Sequence, residues 1–317
     1  MKPFESSDQS VVVFGSLARR ELTPDSDLDW SLLLDGSSSP EDLETAHDIR
    51  AALEGLEFKA PGQEQTFATL VSSHDLINYI GGQDDTNANT TRRILLLLES
   101  TPICRDDAYN RVVNNLFKRY LSEDYGLWHG SKDYKVPRFF LNDIARYWRM
   151  MAVDFAYKQR ARNNKGFALR NIKLRFSRKL IFLVGLMTCF ECHLAFSEEQ
   201  RNEIYGHDKE VVAPVIEKIR ECVAIPPLDL LARVLLRYPE HQMSAKTIFG
   251  AYEEFIGLLA CETKRQRLER LKPKELDNDE VFRYGRDISH SFQNGIRDIF
   301  LKPDNVLGKL TIEYGVF

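Results

Sequence analysis

Two aspartates, Asp27 and Asp29, stand two residues apart at the start of the apolar run "DLDWSLLL". Side chains alternate along a strand, so Asp27, Asp29 and Ser31 share one face while Leu28, Trp30 and Leu32 turn into a core. Two carboxylates held side by side repel unless a cation lies between them or one takes up a proton. Mg²⁺, with Mn²⁺ as the alternative, suits such a pair; it binds through one or two carboxylates together with substrate phosphates and keeps several waters. Just upstream, the apolar run Val11–Phe14 stops at Gly15-Ser16. Glycine allows a tight turn and close approach of the backbone. Ser16 then opens a short helix whose first N–H groups suit phosphate. A phosphate-binding corner beside a carboxylate pair fits a metal-bound nucleoside triphosphate.

The elements that must position these residues read as β-α-β-α-β. Strands are expected at Val11–Phe14, Leu28–Leu34 and Thr66–Val71, with helices at Ser16–Leu22 and from Pro40 to about Leu53. "TPDS" at Thr23–Ser26 is turn chemistry. A short helix follows at Asp75–Ile80 and is stopped by Gly81-Gly82. A polar loop, capped by Asp85 or Thr86, then feeds an apolar helix. Another helix covers Asp106–Leu121. Beyond it everything reads as long helices, at about 138–159, 167–193, 197–206, 208–221, 227–237, 244–270 and 278–300. The expected fold class is α+β, with a small mixed-sheet core at 1–125 followed by an α-helical domain at 126–317.

"GS", ten residues and then "DLDW" resembles the signature of the DNA polymerase β-like nucleotidyltransferase superfamily. Poly(A) polymerases, oligoadenylate synthases and protein uridylyltransferases share it. The "GSLARREL" form looks closest to uncharacterised bacterial proteins related to the PII-protein uridylyltransferases. The resemblance implies that Gly15 and Ser16 hold the β- and γ-phosphates and that Asp27 and Asp29 ligate the metals. It also implies that Arg19 or Arg20 neutralises phosphate charge. It calls for a third carboxylate on a later strand. The candidate strand "TFATLVSS" contains no acid; Glu64, which enters it, is preferred over Glu57 and Asp75.

The net charge of −4 conceals an asymmetry. From Arg138 to Lys179 there are 12 Lys/Arg and two acids, Asp143 and Asp154. Such a block has either an anionic client or acidic partners within the chain. Arg138, Asn142, Arg146 and Arg149 share one helical face, and Asn171, Arg175, Arg178 and Lys179 repeat the pattern, with Arg170 and Lys173 beside them. Arg146, Arg149 and Lys173 are the candidates to close over the triphosphate. Asn87 or Arg92 could touch base or ribose.

"CFECH", Cys189–His193, matches a haem-attachment pattern but continues an apolar helix and lacks a second ligand pair. The five cysteines are expected to be reduced thiols. The N-terminus lacks an apolar stretch of the signal type, and no apolar run is long enough to cross a bilayer, so a cytoplasmic protein without a membrane partner is expected. The expected reaction moves a nucleoside monophosphate from a triphosphate to a protein, RNA or nucleotide acceptor and releases pyrophosphate. Three alternatives stand beside it: a degenerate nucleotide-binding regulator, a defence- or toxin-type transferase, and an RNA-binding module without turnover.

Overall fold

The computed structural model describes residues 7–24, 26–54, 67–130, 134–206 and 212–315. β1 (Gln9–Phe14) is buried along its length, as its valine run requires. It leads through the single turn α1 (Gly15–Ala18) towards β2 (Trp30–Leu34). α2 (Pro40–Glu54) opens on a proline with Glu41 and Asp42 in its first turn, both favourable at a helix N-terminus. β3 (Thr69–Ser72), α3 (Ser73–Asn78), α4 (Asn87–Leu98), β4 (Ser100–Cys104) and α5 (Asp107–Ser122) follow. The sheet order is β3-β2-β1-β4. β1 runs antiparallel to β2 and β4, and β2 runs parallel to β3.

The two faces of the sheet bury different partners. Val11, Val13, Leu28, Trp30 and Leu32 pack with Ile49 of α2. Val12, Phe14, Leu33 and Val71 join a much larger cluster that continues through the helices to Tyr314. Those helices are α6 (Tyr125–His129), α7 (Arg138–Ala161), α8 (Phe167–Lys173), α9 (Lys179–Leu194), α10 (Glu198–Tyr205), α11 (Val212–Val223), α12 (Pro227–Leu235), α13 (Gln242–Ala260), α14 (Glu262–Arg270), α15 (Glu280–Phe300) and α16 (Val306–Leu310). The architecture is α+β, a small mixed sheet followed by helices. The boundary drawn near residue 125 falls at the start of α6, and the buried cluster crosses it.

Four local departures from the sequence reading matter. α1 stops at Ala18 because Arg20 takes a left-handed conformation, φ 60°, and the Glu21 amide turns back to the Ser16 carbonyl. β4 is a strand where only a connection was expected. The long helix at 167–194 contains a π-helical turn, Leu174–Arg178, between α8 and α9. The stretch 244–270 is two helices, broken at Cys261, whose backbone is extended.

A buried ionic hub ties α4, α5 and α7 together. Arg93, fully buried, donates to both Asp85 oxygens at 3.0 Å, to Asp143 at 2.6 Å and to the Tyr120 hydroxyl at 2.8 Å. α7 and α9 also approach closely at Gly185, where an added Cβ would lie 2.7 Å from Ile144 Cγ2.

Candidate active site

The pairing of three strands brings the acids to one corner. The Phe14 amide, last in β1, donates to the Asp29 carbonyl at 2.9 Å. On the other side Phe14 pairs with Ser100 of β4, which sets Glu99 beside Gly15. A Cβ on Gly15 would lie 3.5 Å from Asp29 Oδ2 and 3.7 Å from Glu99 Oε1. Gly15 itself has φ +70°, a conformation that glycine adopts without strain. Two carboxylates, one just before β2 and one just before β4, therefore converge from either side of β1 on one glycine, with Asp27 two residues behind.

Helices complete the site from the other side. One cleft of about 100 Å³ is lined by Gly15, Ser16, Arg19, Asp27, Asp29 and Glu99 from the sheet end. Lys173, Ser177 and Arg178 of α8 and the π-turn, together with Arg265 of α14, face them. The π-turn explains how Lys173 and Arg178 reach the same cleft. In a regular α-helix, residues five apart diverge by about 140°, whereas the wider π-turn, hydrogen-bonded i to i+5, takes in an extra residue and brings them nearer to one face.

The charges interlock. Arg19 donates to Glu99 Oε1 at 2.6 Å and to Glu21 at 2.7 Å, and Arg178 lies 3.9 Å from the same Glu99 oxygen. Glu21 accepts from the Tyr252 hydroxyl of α13 at 3.1 Å, and Arg265 donates to Thr23 Oγ1 at 3.2 Å. Glu99 Oε2 is buried without a hydrogen-bond partner. The Asp29 carboxyl is pushed up to about 6 by burial, with the nearby Asp27 and Glu99 charges adding to the effect and Arg178 opposing it. Burial pulls Lys173 down, against the attraction of Asp27.

Of the residues singled out from sequence, the cleft gathers Gly15, Ser16, Arg19, Asp27, Asp29 and Lys173. Arg20 is exposed and does not line it. Arg146 and Arg149 line a separate depression with Asn87, Asn142 and Tyr314, and Arg146 is committed to the Asp85 carboxylate and carbonyl. The reason is the rotation of α7, whose Tyr147 and Ile144 face inward. Glu64 and Glu57 lie outside the described residues; Asp75 sits in the first turn of α3 and does not line the cleft. Thr86 caps α4, while Asp85 serves the Arg93 hub. Glu99, Arg178 and Arg265 complete the site. Arg178 was already visible on the basic helix face. Glu99 could have been found only by recognising β4.

Among the described residues, no group of three or more His, Cys, Asp or Glu is arranged to hold a metal ion. Asp27 and Asp29 remain the pair that could do so together with substrate oxygens, and Glu99 is turned towards Arg19. A groove of about 1070 Å³ between α5 and α11 is far larger, but its two carboxylates, Glu217 and Glu221, stand on α11 alone, and Glu221 is paired with Lys218. No single helix is long and apolar enough to cross a membrane.

The family model for the nucleotidyltransferase domain matches residues 2–59, the stretch that holds β1, the Gly-Ser corner, the aspartate pair, β2 and α2. The match supports the polymerase β-like superfamily for this stretch, and nucleotidyl transfer as the general kind of reaction. No curated protein and no solved structure matches the chain.

Proposed function

We propose that the protein is a metal-dependent nucleotidyltransferase. An acceptor hydroxyl attacks the α-phosphorus of a nucleoside triphosphate, the α–β phosphoanhydride bond breaks, and pyrophosphate leaves. The observation that carries the reading is the convergence of Asp27, Asp29 and Glu99 at the Gly15-Ser16 corner, opposite Lys173, Arg178 and Arg265. Acids that gather a cation and bases that neutralise a triphosphate are the two halves such a reaction requires.

The donor set fits a divalent cation. Asp29 resists ionisation where it stands, and Glu99 keeps a buried oxygen without a partner. Asp27 and Asp29 would hold Mg²⁺, with Mn²⁺ as the alternative, through their oxygens and those of the substrate. When bound, the metal neutralises charge on the transferring phosphoryl group and orients it. Gly15 and Ser16 let the backbone approach the β- and γ-phosphates. Lys173, Arg178 and Arg265 balance the charge of the departing pyrophosphate. Glu99 is the third carboxylate, and its free oxygen takes the proton of the acceptor hydroxyl. The "GSLARREL" segment is the ground for a finer affiliation, with bacterial relatives of the PII-protein uridylyltransferases.

The test is incubation with each α-labelled triphosphate and separate pools of RNA, protein and small molecules. Label transfer with pyrophosphate release, abolished in Asp29→Asn, supports the reading. Nucleotide binding without turnover under all conditions overturns it in favour of a regulator.

A further inference from the structure

Two basic segments far apart in sequence meet beside the cleft. Residues 158–173 carry six Lys/Arg and no acid, and residues 262–274 carry six Lys/Arg against two acids. The Gly166 amide donates to the Glu269 carbonyl at 3.1 Å, which docks the loop after α7 onto α14. One end of this joint surface is the cleft itself, because Lys173 and Arg265 line it. Away from the cleft, Arg160, Lys165, Arg270 and Lys272 are all exposed. Within the chain, Lys158 pairs with Asp154, Arg265 with Glu269 and Arg267 with Asp279. Aromatic rings border the band. Tyr157, 68 % exposed, lies one turn before Arg160 on α7, and Tyr284 of α15 lies 5.6 Å beneath the Lys264 ammonium.

We infer that the acceptor is a single-stranded nucleic acid, guided to the cleft along this band. The inference rests on the proposed nucleotidyl transfer and specifies its acceptor. A strand of phosphates needs a row of cations that tracks its backbone, and exposed aromatic rings give its bases a stacking platform. The end of such a strand also presents the hydroxyl that the reaction consumes. The chain as a whole is acidic, so the band is a local device rather than a consequence of composition.

Fluorescence anisotropy with labelled single-stranded RNA and DNA oligonucleotides tests this on the full chain. Polyglutamate serves as an anionic peptide competitor. Binding should weaken steeply with salt, with a log–log slope of about −0.7 per phosphate neutralised. The triple variant Arg160→Glu, Lys165→Glu, Arg270→Glu should bind strands about tenfold or more weakly. Its thermal midpoint and its affinity for the triphosphate should not change, because none of the three residues touches the cleft. Asp29→Asn should keep strand binding and lose transfer. Absence of strand binding, equal affinity in the triple variant, equal competition by polyglutamate, or transfer to polypeptide alone overturns the inference and leaves nucleotidyl transfer standing. Strand binding without transfer to any acceptor overturns nucleotidyl transfer, and with it the acceptor role.

Discussion

Tyr252 gives its hydroxyl hydrogen to the Glu21 carboxylate at 3.1 Å, joining α13 to the loop that follows the Gly-Ser corner across 231 residues of sequence. Glu21 in turn holds Arg19, and Arg19 holds Glu99. The helices thus reach the acids through a relay of charge-assisted hydrogen bonds. Tyr252→Phe keeps the ring among Phe176, Phe255 and Phe292 and removes only the hydroxyl. It should cost about 1–2 kcal/mol of stability. It should also raise KM for the triphosphate more than it lowers kcat, which steady-state kinetics beside a urea titration will show.

Asp29 couples stability to pH. Its folded pKa, about 6, lies above the unfolded value of 3.8, so the folded state binds the proton more tightly. Stability associated with this group is therefore full below the unfolded value and declines as pH rises through the folded one. Asp29→Asn removes that decline. At pH 7.5 the variant should melt roughly 2–5 °C above the wild type in the absence of divalent cations, and at pH 4 the difference should vanish. Added Mg²⁺ should stabilise the wild type alone, and less so below pH 6, where protons compete for the carboxylate. Differential scanning fluorimetry across pH reads all of this.

Glu99→Gln preserves shape and removes charge. Transfer should fall by at least about 10²-fold, while triphosphate affinity changes little. Single-turnover kinetics together with equilibrium nucleotide binding separate the two effects. Loss of both in parallel would instead make Glu99 an anchor for Arg19 and Arg178.

Arg93 is a different kind of residue, buried and remote from the cleft lining. Arg93→Met leaves the Asp85 and Asp143 carboxylates without their main partner. The expected loss is about 3–5 kcal/mol, visible as a large drop in the urea midpoint. Activity per folded molecule should persist at low temperature.

At Gly185, replacement by alanine forces a methyl group against Ile144. The expected cost is about 1–3 kcal/mol, partly recovered by combining it with Ile144→Val. A double-mutant cycle in urea measures the coupling.

The legible parts of the molecule were those with a strong local signal. The valine run of β1, the Gly-Ser stop and the alternation after Asp27 announce two strands and the acids between them. Glu99 escaped notice because it stands at a junction, one residue past an apolar helix and one before a strand. β4 hides for a related reason. It is a short edge strand carrying Pro102, and alternate residues face solvent, so neither apolar content nor alternation marks it. The basic helices showed charge but not direction. Periodicity puts Arg146 and Arg149 on one face of α7 without saying whether that face looks inward, and the core chose Tyr147 instead. Arg265 was obscured because a single extended residue, Cys261, divides what reads as one continuous helix.

The π-turn at Leu174–Arg178 lets this part of the chain carry one residue more than a regular helix would hold between the same two side chains. Losing one residue there would let the helix relax to a regular pitch and gain a better hydrogen-bond ladder. Lys173 and Arg178 would then stand four residues apart, a spacing that an ordinary α-helix keeps on one face. A gain of one residue on either side of the turn is the more damaging change, because a regular helix has no slack and rotates by about 100° per added residue. A lengthened protein of this kind would be expected to keep both cations and aim them apart.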